Sequence, residues 1–285
     1  MANTASTARR PSSQIIGPWL VNIAVLALVA SYAMPFVYLL LTSIKPPGDV
    51  LQIPPSFLPT RLSLANYTTL FATPSIPKAF ANSLIVALCS TVLALVLAVP
   101  AAYGASFFKT RLSLWFLLFA LVTRMVPSVS LGVPLFITMK TLRLLDTQVG
   151  LVLAHTTISL PLAVWLMAAF FESVPHELEE AARMDGCSRF QAFRKVILPV
   201  VRGGIAIAAL FAFIASWNEF LYALLLTGQH SQTAPLVISQ FKSAYGLDWG
   251  PMTALAALYS APVILVTLLL QKQIIGGLTF GAVKG

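Results

Sequence analysis

Six stretches of the chain are almost uninterrupted runs of apolar residues: 19–44, 79–103, 112–138, 149–171, 203–226 and 252–275. A helix needs about 20 mostly apolar residues to cross the hydrocarbon layer of a bilayer, and each run is long enough. The pattern predicts an all-α polytopic membrane protein whose six transmembrane helices form one domain over 19–277. A short N-terminal tail (1–18) precedes it and a C-terminal tail (278–285) follows. Arg9 and Arg10 precede the first run, as they would in a secretory signal. Its apolar core is too long for one, and Lys45-Pro46-Pro47-Gly48-Asp49 follows instead of a small-residue cleavage site, so it is read as a retained helix.

Composition supports the pattern. Charged residues make up 9% of the 285, against about 25% in a soluble domain. Hydrophobic residues reach 58%, with a mean hydropathy of +0.86. Such an alphabet cannot clothe a soluble surface, which excludes a soluble enzyme and a disordered regulator. The net charge of +9 does not mark a nucleic-acid binder, because the basic residues lie mainly between apolar runs rather than on one polar face. Their distribution sets orientation instead. With a cytoplasmic N-terminus, eleven Lys and Arg fall on the inner side and six on the outer, and Arg124 lies within a span. The positive-inside rule therefore predicts both termini inside. Cys89 and Cys187 offer no disulfide framework and no zinc spacing, and no metal or catalytic cluster is expected.

Residues 172–202, between the fourth and fifth runs, differ from the rest. They carry five acids (Glu172, Glu177, Glu179, Glu180, Asp185) and five bases (Arg183, Arg189, Arg194, Lys195, Arg202). Two short helices around a turn are predicted. Pro175 suits the first helical position, and Glu177, Glu179 and Glu180 oppose the helix dipole in the early turns. Glu179 and Arg183 stand at i, i+4 in the favourable order. Gly186 ends the first helix with a positive φ. Ser188 and Gln191 form a capping box for the second. Phe190, Phe193 and Ile197 give it an apolar stripe, and Pro199 stops or kinks it at the membrane. The bland reading is a solvated loop on the headgroups. Two capped helices with exposed aromatics in a charge-balanced loop fit a partner-docking surface better.

Glu180-Ala181-Ala182, Gly186 and Val196-Ile197-Leu198-Pro199 resemble the EAA motif of ABC importer permeases, E-A-A-x3-G-x9-I-x-L-P, departing only at Val196. The tail 277–285 resembles the C-terminus of the maltose-type carbohydrate permeases with six spans. So do Asn82-Ser83-Leu84, Thr123-Arg124-Met125-Val126-Pro127 and Trp217-Asn218-Glu219-Phe220, so that the likeness covers roughly 15–285. The resemblance implies a type I ABC importer permease fold in a bacterial inner membrane. It implies that Glu180, Ala181, Ala182, Asp185, Gly186, Phe190, Phe193, Leu198 and Pro199 belong to a cytoplasmic coupling helix seated on an ATPase. Gly281, Val283 and Lys284 would reach toward the same ATPase. The implied partners are a second homologous permease, an ATPase dimer that holds the ATP and Mg, an extracytoplasmic sugar-binding protein and the membrane lipid, with no nucleic acid.

The chain has no G-x-x-x-x-G-K-[ST] loop, and no Gly precedes a Lys, so nucleotide chemistry is expected in another chain. The alternative is a stand-alone ion-coupled carrier or channel. Matching inverted halves would favour it and are not seen; Glu219 is the only carboxylate placed within a span. Arg124 and Glu219 lie 13 and 17 residues from the inner-side cations Arg111 and Arg202, or roughly 20 and 25 Å along a helix. They either pair or bond separately to other groups. Arg124, Trp217, Asn218 and Glu219 are candidates for the solute path, although Trp217 is equally read as packing between helices. His155 is read as a satisfied polar residue. Pro127, Pro134, Pro161 and Pro262 are expected to kink their helices.

Overall fold

The computed structural model describes residues 18–54, 56–240 and 249–282. All of the regular structure in them is helical. The order is α1 (Pro18–Ser43), α2 (Ala65–Phe71), α3 (Ser75–Phe108), α4 (Arg111–Met125), α5 (Ser128–Thr141), α6 (Gln148–Glu172), α7 (Glu177–Met184), α8 (Arg189–Ala192), α9 (Leu198–Val200), α10 (Arg202–Trp217), α11 (Leu221–Leu226), α12 (Ala234–Gln240) and α13 (Trp249–Ala282). A π turn over Phe193–Ile197 joins α8 to α9.

Four helices, α1, α3, α6 and α13, are long and apolar enough to cross a membrane alone. The count reaches six when two bent pairs are included. The run at 112–138, expected as one helix, is α4 and α5 meeting at 99°. Pro127 is the reason: Val126 before it is extended (φ −73°, ψ 122°), as a residue preceding proline prefers. The second bent pair is the segment from α8 through α9 with α10, at 74°, and the run at 203–226 itself breaks at 218–220, between α10 and α11. By contrast α6, α5 and α13 continue through Pro161, Pro134 and Pro262. α13 also outruns the expected end at 275, reaching Ala282, so the segment read as a tail begins as helix.

The core is α3, α6 and α10, each packed on the other two. Lipid tails give helices no hydrophobic reason to associate, so close packing of small residues must do it. α3 buries Ala87, Ala94, Ala98 and Ala102. α10 buries Gly204, Ala208, Ala212 and Ser216, a small residue at every fourth position. At Gly204 the approach is so close that a Cβ would lie 2.3 Å from the Phe170 ring on α6. The outer helices are different: among the described residues α1 packs mainly on α13, with Ser43 bonded to Tyr67 and Asn66 of α2, and exposes Trp19, Leu26 and Tyr32 along its length.

Candidate functional site: the charged loop and the polar interior

The predicted elbow is present. α7 closes in a Schellman arrangement, in which the Gly186 amide donates to the Arg183 carbonyl (3.1 Å) and the Cys187 amide to that of Ala182 (3.0 Å). Gly186 has φ +87°, and a Cβ there would meet no atom within 4 Å. Backbone conformation, not space, therefore demands glycine. Ser188 caps α8 and Gln191 returns the bond: the Ser188 amide donates to Gln191 Oε1 (2.8 Å) and the Gln191 amide to Ser188 Oγ (3.3 Å).

Three local expectations need correction. Pro175 lies before the N-cap, His176, rather than at the first helical position. The Pro175 carbonyl still accepts from Leu178 (3.2 Å), and the His176 carbonyl accepts from Glu179 and Glu180. Glu179 pairs with Arg189 (3.5 Å), not with Arg183, because the turn at Gly186 folds α8 back beside α7. The stripe of Phe190, Phe193 and Ile197 does not share one environment, because the π turn rotates it. Ile197 is fully buried, Phe193 lies tilted against Tyr103 with ring centroids 4.5 Å apart, and Phe190 is 68% exposed.

The loop thus has two faces. The inner face rests on the end of α3: Phe107 meets His176 at 4.7 Å, and the Arg189 guanidinium covers the Phe108 ring at 4.7 Å. Ala182 and Ala192 are buried and Leu198 is half-buried. The outer face carries Glu180, Ala181, Asp185, Phe190 and Pro199, all exposed, together with Met184 at 88%. In the C-terminal segment Gly281 is on α13, whereas Val283 and Lys284 lie outside the described residues.

The interior candidates separate. Arg124 and Glu219 do not pair. Arg124 donates to the Ile158 carbonyl (3.3 Å), because the break at 126–127 leaves it at the exposed end of α4 beside α6. Glu219 is buried at the α10–α11 break and accepts from the amides of Tyr222 (2.9 and 3.0 Å) and Ala223 (3.2 Å). Trp217 packs between helices. It is 1% exposed, stacks on Tyr259 at 5.3 Å and donates to the Tyr259 carbonyl (3.2 Å). Tyr259 returns two bonds, to the Trp217 carbonyl and to Asn218 Oδ1 (both 2.9 Å). Asn218 is exposed at the break.

His155 is satisfied on one side only. Nδ1 is 2.8 Å from Ser216 Oγ, which also accepts from Ser90 (2.9 Å). Nε2 lies 3.5 Å from Glu219 Oε2 with no hydrogen bond. The row Ser90–Ser216–His155–Glu219 ties α3, α10 and α6 to the break, and sequence reasoning missed it. Its available signal was a Ser, a His and a Glu in three separate apolar runs, each needing a buried partner.

A second cluster, also missed, lies at the opposite end of α6. Asp146 accepts from the His230 and Ser231 amides (3.1 and 2.9 Å) and the Ser231 hydroxyl (2.8 Å). Asn82 donates to the carbonyls of His230 (3.2 Å) and Gln232 (2.9 Å) and accepts from Gln148 (2.8 Å). Ser83 accepts from the Ala234 amide (2.7 Å). Segment 228–234 is thereby clamped to α3 and to the connection between α5 and α6. Burial pushes the Asp146 carboxyl up. The bonds from Gly228, Ser231 and His230 outweigh it and hold the group at about 2.

Residues 90–277 match the family model described as the binding-protein-dependent transport system inner membrane component, and the chain belongs to that family of ABC transporter permeases. It is 38% identical over 262 residues to the trehalose transport system permease protein SugB of Mycobacterium tuberculosis, covering 90% of this chain and 95% of that one. It is 32% identical over 255 residues to the trehalose/maltose transport system permease protein MalG of Thermococcus litoralis, covering 88% and 91%. The fold matches a chain of the crystal structure of a bacterial ABC transporter involved in the import of the acidic polysaccharide alginate. The TM-score is 0.77 at 23% identity, with 94% and 100% of the chains covered. The chain is therefore a multi-pass inner-membrane permease component, without an ATPase site of its own.

Proposed function

We propose that the chain is one half of the translocation path of an ATP-driven sugar importer, and that loop 172–202 transmits the closure of a separate ATPase dimer to the bundle. The observation that carries this reading is the two-faced loop. Its backbone turns are closed by its own caps and its inner face is fixed to Tyr103, Phe107 and Phe108. Met184 and Phe190 nevertheless project outward beside Glu180 and Asp185. Large apolar groups on a rigid, charged rim are anchors for a protein partner. A push on that face passes through the aromatic contacts into α3 and, through Ile197 and Val201, into α10. The sugar class follows from the trehalose and trehalose/maltose relatives. The remaining partners are a second permease and an extracytoplasmic binding protein that delivers the cargo. Both termini are cytoplasmic in this arrangement, and Asn218 and Arg124, the exposed members of the four interior candidates, are the side chains that border the path.

The test is disulfide cross-linking in membrane vesicles between Met184→Cys and cysteines introduced along the ATPase. A nucleotide-dependent cross-link is expected, together with loss of ATPase co-purification for Glu180→Lys. Full transport by a chain that cross-links to no ATPase would overturn the docking role. Ion-driven uptake by the chain reconstituted alone would overturn the whole assignment.

A further inference from the structure

At the charged-loop end, a groove of about 800 Å³ opens between the end of α6, the start of α7, the start of α10 and the late part of α13. Its walls are apolar, with Phe170 and Leu178 on one side and Ile205, Ala209 and Leu270 on the other. Two cations stand at it, Arg202 and Lys272, and no Asp or Glu lines it. Both are exposed, and neither forms an ion pair among the described residues.

The level of the groove within the membrane identifies its ligand. α6 ends two residues after Phe170, and α10 begins at Arg202. Lys272 is 23 residues into α13, roughly 35 Å along a helix, against a hydrocarbon core of about 30 Å. The two cations therefore lie at headgroup depth while the apolar walls run inward. Long basic side chains at such depth attract anionic headgroups, and an apolar crevice below them accepts acyl chains. We propose that this groove binds an anionic phospholipid, its phosphate on Arg202 and Lys272 and its chains along Leu270, Ile205 and Ala209. The occupant would bridge α7 to α10 and α13, elements that must keep step if the loop drives the bundle. The inference rests on the membrane-embedded permease reading and not on the loop's docking partner.

Native mass spectrometry of the delipidated, purified transporter complex tests it, titrated with phosphatidylglycerol or phosphatidylcholine. Phosphatidylglycerol is expected to bind about thirtyfold more tightly, the preference two basic groups give at a membrane surface. Arg202→Gln with Lys272→Gln should abolish that preference, and Arg202→Lys with Lys272→Arg should keep it. Ala209→Phe, which fills the crevice and leaves both charges, should weaken both lipids. Equal binding of the two lipids by the native protein, or an unchanged preference in the Gln pair, would overturn the proposal. So would full competition by inorganic phosphate, which would make this a bare anion site. Displacement by a peptide of residues 276–285 would overturn it in favour of the chain's own C-terminal segment. Lipid retention is read without ATP or cargo, so its failure is distinguishable from failure of the coupling role.

Discussion

The two ends of the bundle spend their polar groups in opposite ways. At the Asp146 end, side chains on α3 and Asp146, just before α6, bond to the backbone of 228–234, and the segment is held by bonds from another part of the chain. In the charged loop the backbone is closed locally, by a Schellman turn and a capping box, and the outer acids Glu180 and Asp185 form no ion pair among the described residues. The first arrangement makes a fixed platform. The second makes a locally closed elbow, seated on α3, whose outer residues are exposed. Met184 and Phe190, exposed on a loop whose inner face is fixed to α3, are the side chains that the proposed docking to an ATPase would bury.

That contrast can be broken at either end. The largest effect is expected from Met184→Asp combined with Phe190→Asp. Losing two anchor residues costs roughly 2–4 kcal/mol of association, about 30- to 1,000-fold. ATPase co-purification should collapse while the amount of chain in the membrane stays the same; equal loss of both would mean that the loop serves folding instead. Asp146→Ala should act only at the other end. Stranding buried donors costs roughly 1–3 kcal/mol, read as faster proteolysis within 228–232 with ATPase association unchanged. Gly186→Val forces a β-branched residue into positive φ, at about 1–2 kcal/mol, and should loosen the elbow enough to uncouple hydrolysis from uptake. Ser188→Ala removes one cap, at about 1 kcal/mol, and should give the same defect in milder form.

Acid sharpens the comparison without mutation. The Asp146 carboxyl is held at about 2, below its ordinary value. Its contribution is therefore complete above the ordinary carboxylate range and is lost as pH falls through that range toward 2. Amide exchange at Ser231 should stay slow from neutral pH down to about 4 and speed up below it, relative to the intrinsic rate. Early release near pH 6 would point to a different group.

The sequence made the spans, the elbow and its caps legible because these are local. Twenty apolar residues in a row, a Ser three before a Gln and a Gly after an amphipathic turn each specify structure by themselves. Pro127 was legible as a kink but not as a 99° bend, since Pro161 and Pro262 in similar runs are absorbed into continuous helices. Neighbouring helices decide which proline breaks a span. The polar row through His155 and the Asp146 clamp were illegible for another reason. They join residues such as Ser90 and Ser216, or Asn82 and Gln232, more than a hundred positions apart. Sequence depth alone placed Arg124 near Glu219. Which way each points was settled by the breaks at 126–127 and 218–220.

Glu219 spends both oxygens on amides of its own strand of chain. A passing hydroxyl would have to outbid Tyr222 and Ala223, and whichever amide lost would be stranded in dry surroundings. Its chemistry is that of a splint setting a fractured rod, and a splint is useful only while it stays on. Along the proposed path it is then the exposed neighbour Asn218, whose Oδ1 accepts from Tyr259, that is left to meet a cargo.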